Sequence, residues 1–311
     1  MFSWLLALTL YLTVGQAHPA LALADLGLSG RSFLPISKTV DQPVINPQAP
    51  VKIDPTRLGI ETEARAAVVL DWETNKAMFR KNADEPLPIA SLTKLATALV
   101  VLESGVSLDQ EVEIKSSDAR PGGIPYEVPG EKILVRDLLH ASLIASSNGS
   151  TVALARSTGL TLDEFAIKMN DLAKRLGMEA TNFVEPTGID VNNVASARDV
   201  AKLIQYSLSN DLIHSIVLKD KYEFSAVTGM FHSFNSTDAL LGGSITRPPY
   251  IFLGGKTGFL PEAGYCFGAA VSNGDGNRII AVVLGAPSKQ SRFDEVSALM
   301  YWSFDAFTWP E

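Results

Sequence analysis

The sequence predicts an α+β fold, an antiparallel sheet flanked by helices with an all-helical insertion. Three observations predict it. Apolar residues from Val135 to Leu218 recur mostly at helical spacing. From Tyr222 to Leu284 the pattern changes to short apolar runs with hairpin-type connections. Arg292 to Phe307 returns to helical spacing, with Phe293, Val296, Leu299 or Met300, and Ser303 or Ala306 on one side.

Taken in order, Met1 to Gly15 is almost wholly apolar, and Ala22-Leu23-Ala24 supplies small residues before Asp25. Residues 1–24 are expected to be a secretory signal peptide cut after Ala24, although no lysine or arginine precedes the apolar run. The rival is an uncleaved anchor, but Gln16, His18 and Pro19 interrupt a run that is short for a spanning helix. Residues 25–60, with Pro35, Pro43, Pro47, Pro50 and Pro55, are expected to be a linker, leaving 61–311 as the folded domain. Ala66–Leu70 and Ala77–Lys81 flank the turn residue Asn75 and predict a hairpin. Leu92, Leu95, Ala96, Leu99 and Leu102 then predict a helix that stops near Gly105. Glu111–Lys115 alternates like a strand, and Pro121-Gly122-Gly123, Pro125 and Pro129-Gly130 mark a long loop.

Helices are expected near Val135–Ala145, Val152–Thr158, Leu162–Leu176, Ala197–Leu208 and Asp211–Val217, a helical subdomain of about 116–218. The later strands are expected at Tyr222–Ala226, Met230–Asn235, Ile251–Lys256, Tyr265–Ser272 and Ile279–Leu284. The last is apolar on both faces, as a central strand is.

Composition narrows the function. The net charge of -8, with no lysine or arginine run, argues against nucleic-acid binding. One cysteine, Cys266, forbids an internal disulfide. His18, His140, His214 and His232 are scattered, and no Cys/His cluster has metal-ligand spacing, so no metal or other cofactor is expected.

Three short stretches carry chemistry. In Pro88-Ile89-Ala90-Ser91-Leu92-Thr93-Lys94, a serine and a lysine share one helix face a turn apart. The hydroxyl would lie near the positive helix end, with an amine to take its proton. By itself this also fits a capped helix with a solvated lysine. Ala145-Ser146-Ser147-Asn148 falls between two predicted helices, where a hydroxyl and an amide can face a cleft or simply end a helix. Gly254-Gly255-Lys256-Thr257-Gly258 follows an apolar strand, and glycines there allow close approach of another segment. That stretch also fits a turn with a surface lysine.

In this order, Ser91-x-x-Lys94, Ser146-x-Asn148 and Lys256-Thr257-Gly258 form the motif set of penicillin-binding proteins and class A β-lactamases. Asn182-Phe183-Val184-Glu185-Pro186-Thr187-Gly188-Ile189, Ser196-Ala197-Arg198-Asp199, Ala263-Gly264-Tyr265-Cys266 and Val282 to Ala286 extend the likeness over about 60 to 305. The chain resembles the D-alanyl-D-alanine carboxypeptidases, low-molecular-mass penicillin-binding proteins, and their endopeptidase relatives. The resemblance implies a β-lactamase/transpeptidase-like fold with the site between sheet and helical subdomain. It implies peptidoglycan stem peptides ending in D-Ala-D-Ala as substrate and β-lactams as inhibitors. Ser91 would be the nucleophile and Lys94 its base, lowered in pKa by partial burial and by Lys256 as a nearby cation. Ser146 would relay a proton to the leaving amine, and Asn148 would hold Lys94 and the substrate. The backbone N–H groups of Ser91 and Phe259, beside Gly258, would form the oxyanion hole. Thr257 and Arg292 would bind the terminal carboxylate, although Arg292 also fits a surface pair at a helix start.

Some features depart from the family pattern. Where relatives often have Ser-Gly-Asn-Asp-Ala, this chain has Ser146-Ser147-Asn148-Gly149-Ser150, without the local supporting carboxylate. The chain ends at Glu311 without the further β domain and anchoring helix that many relatives carry, so membrane contact is expected only through an uncleaved N-terminal segment. Phe183-Val184-Glu185-Pro186-Thr187-Gly188 resembles the endopeptidase branch at least as well, which keeps cross-link cleavage open. A β-lactamase would use Glu185 as deacylating base, but Ile189 stands in the Asn place of the Glu-x-x-Leu-Asn loop. An inactive wall-binding protein is a further alternative, opposed by the presence of every reacting side chain. A Ser-His-Asp hydrolase is disfavoured because no Gly-x-Ser-x-Gly occurs. The expected location is outside the cytoplasm, periplasmic or at the cell-wall face of a bacterial membrane.

Overall fold

The structure, a computed structural model, describes residues 48–310 apart from 57, 58, 124 and 125. The expected signal peptide and most of the expected linker lie outside the described residues. Within the stretch expected as linker, β1 (Val51–Lys52) is a strand. β2 (Ala66–Asp71) and β3 (Ala77–Lys81) form the expected hairpin, with Asn75 at φ +56° in its turn. After β4 (Leu87–Pro88), a single 3₁₀ turn over Ala90–Leu92 leads into α1 (Thr93–Glu103).

β5 (Glu111–Glu113) pairs with β6 (Lys132–Leu134), a strand the expected long loop had concealed. The helical part comprises α2 (Val135–Leu143), α3 (Asn148–Ser157) and α4 (Leu162–Arg175). A short β7 (Val194–Ala195) precedes α5 (Ala197–Leu208) and α6 (Asp211–Val217). α3 starts four residues earlier than Val152 because Ser147 caps it, accepting the Ser150 N–H at 3.2 Å. β8 (Lys221–Ser225) and β9 (Phe231–Asn235) make a separate hairpin. β10 (Ile251–Leu260), β11 (Gly264–Ser272), β12 (Arg278–Ala286), α7 (Ser291–Ala306) and β13 (Phe307–Thr308) complete the chain. β10 runs on past Lys256 to Leu260, so Lys256-Thr257-Gly258 is strand rather than turn, held in register against β11.

The main sheet is antiparallel in the order β10-β11-β12-β2-β3. Its two-residue period sorts the core into two layers. Val68, Leu70, Cys266, Ala270, Ile280 and Val282 face α1, α5 and the helical part. Val69, Phe267, Ala269, Val271, Ile279 and Val283 face Phe293, Val296, Leu299 and Met300 of α7. The sheet is therefore covered on both faces, which explains why β2 and β12 read as unbroken apolar runs. β1 pairs with β13, and Trp309 Nε1 donates to buried Asp71 at 2.7 Å, fixing the C-terminal end to β2. Edge strand β10 is left facing the N-terminal turn of α1, and there the chemistry gathers.

Candidate active site

Ser91 sits in the 3₁₀ turn, one step before α1 proper. That turn is pinched from two sides by glycines. A Cβ on Gly258 of β10 would lie 2.8 Å from the Ile89 carbonyl oxygen and 3.2 Å from Ser91 N. A Cβ on Gly188, whose φ is +84°, would overlap the Ala90 carbonyl oxygen. Only glycine admits both approaches. Ala90 itself is held at φ +49°, a conformation that costs an L-residue of order 1 kcal/mol and that surrounding contacts must impose. β4 pairs with β7, and Ile89 N–H donates to Asn193 O at 3.2 Å, so the approach to Ser91 is fixed on both sides.

Lys94 is fully buried, at 0% exposure. Its Nζ donates to Ser91 Oγ at 2.8 Å, Asn148 Oδ1 at 2.8 Å and Thr187 O at 2.7 Å. Burial pushes its pKa down to about 7, against an opposing pull from Glu185. The expected repulsion between Lys94 and Lys256 shows as a lowering of the Lys256 pKa, while the expectation of partial burial of Lys94 is corrected in degree. Burial is complete and is the leading cause, because water no longer stabilises the ammonium.

The α2–α3 loop brings the second motif. Ser146 takes φ +60° and receives a 2.9 Å hydrogen bond from Lys256 Nζ. Lys256 is buried too and also donates to Thr257 O at 3.1 Å. Burial, with Lys94 and Arg292 nearby, lowers its pKa well below the usual lysine value. Ser91, Lys94 and Asn148 thus form one hydrogen-bonded group, and Lys256 with Ser146 a second.

Thr257 Oγ1 lies 2.6 Å from Thr237 Oγ1. Thr237 follows β9 and donates through its N–H to Ile144 O at 3.1 Å, linking β10 to the Ser146 loop. Arg292, 4% exposed, donates through Nη1 to Gly258 O at 3.1 Å and has a buried Nε without a partner among the described residues. Phe259 is half-exposed and stacks on Tyr265 at 4.4 Å. Every residue expected at the site is therefore on β10, at the start of α1, at the α2–α3 loop or at the start of α7.

Sequence reasoning missed Thr237, the Thr187 carbonyl and Glu127. Thr237 lies outside all three motifs. Glu127 supplies a carboxylate beside the second motif, since Ser147 Oγ donates to its Oε1 at 2.6 Å. Glu185 is not placed like a free base. Its carboxylate accepts the N–H groups of Thr187 at 2.7 Å and Ile189 at 2.9 Å, together with Gly188 N–H and the Asn193 side chain. Among the described residues, no group of three or more His, Cys, Asp or Glu side chains is arranged to hold a metal ion.

This arrangement agrees with the comparisons to known proteins. The family model for D-alanyl-D-alanine carboxypeptidases matches residues 51–288. The chain is 34% identical over 249 residues to a D-alanyl-D-alanine endopeptidase of Escherichia coli, covering 78% of this chain and 77% of that protein. It is 31% identical over 258 residues to the D-alanyl-D-alanine carboxypeptidase DacF of Bacillus subtilis, covering 79% of this chain but only 63% of that protein. The cefotaxime-bound crystal structure of penicillin-binding protein D2 from Listeria monocytogenes matches with a TM-score of 0.69 and 32% identity, over 80% of this chain and 100% of that one. With three motifs brought together beside two buried lysines, on a penicillin-binding-protein fold, the chain belongs to the D-alanyl-D-alanine carboxypeptidase family.

Proposed function

We propose that the protein is a serine-type D-Ala-D-Ala carboxypeptidase acting on peptidoglycan stem peptides through an acyl-enzyme on Ser91. The observation that carries this is the 2.8 Å contact between Ser91 Oγ and the Nζ of Lys94, a fully buried amine whose pKa lies at about 7. Near neutral pH such an amine is free base in a large fraction of molecules and can take the serine proton.

In the proposed sequence Ser91 Oγ attacks the carbonyl carbon of the penultimate D-alanine, and its proton passes to Lys94. The oxyanion is held by the backbone N–H groups of Ser91 and Phe259. The C–N bond then breaks, and the leaving D-alanine nitrogen takes a proton through Ser146, hydrogen-bonded to Lys256. Water attacks the ester, Ser91 recovers its proton, and the shortened peptide leaves. Thr257 and the unpartnered Arg292 Nε support recognition of the terminal carboxylate in this pocket. β-Lactams would acylate the same serine and so inhibit. A location outside the cytoplasm belongs to the same proposal and is supported by the apolar N-terminal run and Ala22-Leu23-Ala24.

D,D-endopeptidase action on cross-links is the second reading, favoured by the similarity to the Escherichia coli endopeptidase over 77% of its length. The two are separated by incubating protein and a Ser91→Ala control with pentapeptide and with cross-linked muropeptides, then weighing the products by mass spectrometry. Ser91-dependent loss of one alanine from pentapeptide supports the carboxypeptidase. Cleavage of the cross-linked dimer alone moves the assignment to endopeptidase. No Ser91-dependent change in either contradicts both.

A further inference from the structure

Glu127 lies in the long loop before β6, outside the three motifs. Its Oε1 accepts hydrogen bonds from Ser147 Oγ at 2.6 Å and from Ser150 Oγ. Ser147 Oγ in turn accepts the Ser150 N–H as the cap of α3. The carboxylate therefore ties together the first turn of α3, and its negative charge complements the positive end of that helix. Ser147 stands between Ser146 and Asn148, so fixing it fixes the residue on either side. The same loop acts a second time, because the carbonyls of Pro121 and Gly122 accept from Asn148 Nδ2 at 3.0 and 3.2 Å. That turns Asn148 Oδ1 toward Lys94. The loop is braced in its turn. Val128 N–H donates to Glu131 Oε2 at 2.6 Å, and the Tyr126 ring packs on Phe234 at 5.3 Å.

Gly149 makes room for this arrangement. A Cβ there would lie 2.8 Å from Glu127 Oε2 and 3.7 Å from Glu127 Cδ. The backbone at 149 is ordinary helix, so the absence of a side chain is a matter of space alone. An aspartate at 149 would put its carboxylate into the volume that the Glu127 carboxylate fills.

We infer that Glu127 is a positioning residue of the active site, holding Ser146 and Asn148 in place from a loop outside the three motifs, and that Gly149 leaves open the space its carboxylate occupies. The inference rests on the acyl-enzyme reading for its effect on rate. Each change alone is expected to slow the reaction, and the two compensate in combination. Glu127→Ala removes the carboxylate, and Gly149→Asp alone sets two carboxylates against each other. Together they restore one carboxylate to one place.

The test uses the full chain and a fluorescent penicillin, comparing wild type, Ser91→Ala, E127A, E127Q, G149D and the E127A/G149D double variant. Thermal melting establishes that each is folded. E127Q, whose amide oxygen keeps both serine bonds, is expected to acylate within about threefold of wild type. A loss of about tenfold there overturns the hydrogen-bonding role. The expected acylation rate at saturating penicillin falls about tenfold in E127A and in G149D and recovers to within about threefold of wild type in the double variant. The half-saturating concentration stays within about twofold throughout, because loop positioning acts on the proton-transfer step. Amide hydrogen exchange across Ser147–Thr151 is expected to quicken in E127A and slow again in the double variant. E127A acylating as fast as wild type, or a folded double variant no faster than E127A, overturns the inference. A wild type that is not labelled, or a labelled Ser91→Ala, overturns the acyl-enzyme reading instead. Hydrogen exchange then decides on Glu127 alone, and unchanged exchange in E127A overturns it.

Discussion

Lys94 Nζ donates a 2.7 Å hydrogen bond to the main-chain carbonyl of Thr187, 93 residues further along the chain. The partner is a carbonyl rather than a carboxylate, so it orients the amine without restoring its charge. Glu185 holds that carbonyl in place by accepting the N–H groups of the turn around it. Thr97 Oγ1 adds a 2.6 Å bond to Pro186 O from α1. The loop is thus built as one wall of the lysine pocket.

Glu185→Ala should damage the wall and the chemistry together. It strands several part-buried donors, at an expected cost of about 2–3 kcal/mol. Urea unfolding should show a lower midpoint at unchanged slope, and Ser91 acylation should slow in parallel. If Glu185 were a deacylating base, its variants would acylate normally and accumulate acyl-enzyme, which steady-state labelling distinguishes.

The free amine of Lys94 is the form that accepts the serine proton. With burial holding its pKa at about 7, acylation should rise with pH through that value and level off above it. Below it the rate should fall about tenfold per pH unit. A stopped-flow profile of penicillin acylation from acid to mildly alkaline pH checks this. A rate that is flat or falling across neutrality would assign the base elsewhere.

Gly258→Ala forces a methyl group against the Ile89 carbonyl and Ser91 N. Strand β10 or the serine turn must move, at an expected cost of about 1–3 kcal/mol in stability. Acylation should drop at least about a hundredfold, because a misplacement of the order of 1 Å is enough to lose that much. Melting temperature and labelling rate, measured together, separate the two effects.

Thr237→Val removes the hydroxyl that meets Thr257 Oγ1. If this pair presents a hydroxyl to the substrate carboxylate, KM for a peptide with a free C-terminus should rise about tenfold. The kcat should change by less than about threefold. A kcat loss with unchanged KM would place Thr237 in the chemical step.

What the sequence made legible follows from how local each signal is. Ser91 and Lys94 lie within one turn, so the spacing suggests their partnership, and the other two motifs in order make it specific. The unbroken apolar runs of β2 and β12 and the apolar face of α7 were also readable, because burial on both sheet faces and on one helix face each leaves a regular pattern. Glu127, Thr187 and Thr237 left no trace of their role, since a loop carboxylate or carbonyl that reaches across the fold has no periodicity. The same holds for the depth at which Lys94 is buried, which depends on Thr187 and Asn148 closing over it. Two boundaries slipped for identifiable reasons. The Ser147 cap extended α3 backward, and β11 held a glycine-rich segment as strand through Leu260. β1 lies within the proline-marked stretch read as linker, and its pairing with β13, with the Lys76 Nζ bond to Pro50 O, marks it as part of the folded unit.

The most direct measurement is intact-protein mass spectrometry after exposure to benzylpenicillin, followed by peptide mapping. The expected result is one penicilloyl adduct per chain, located on Ser91 and absent from Ser91→Ala. An adduct that persists in Ser91→Ala, or a folded wild-type protein with no adduct, would contradict the assignment of Ser91 as the nucleophile activated by Lys94.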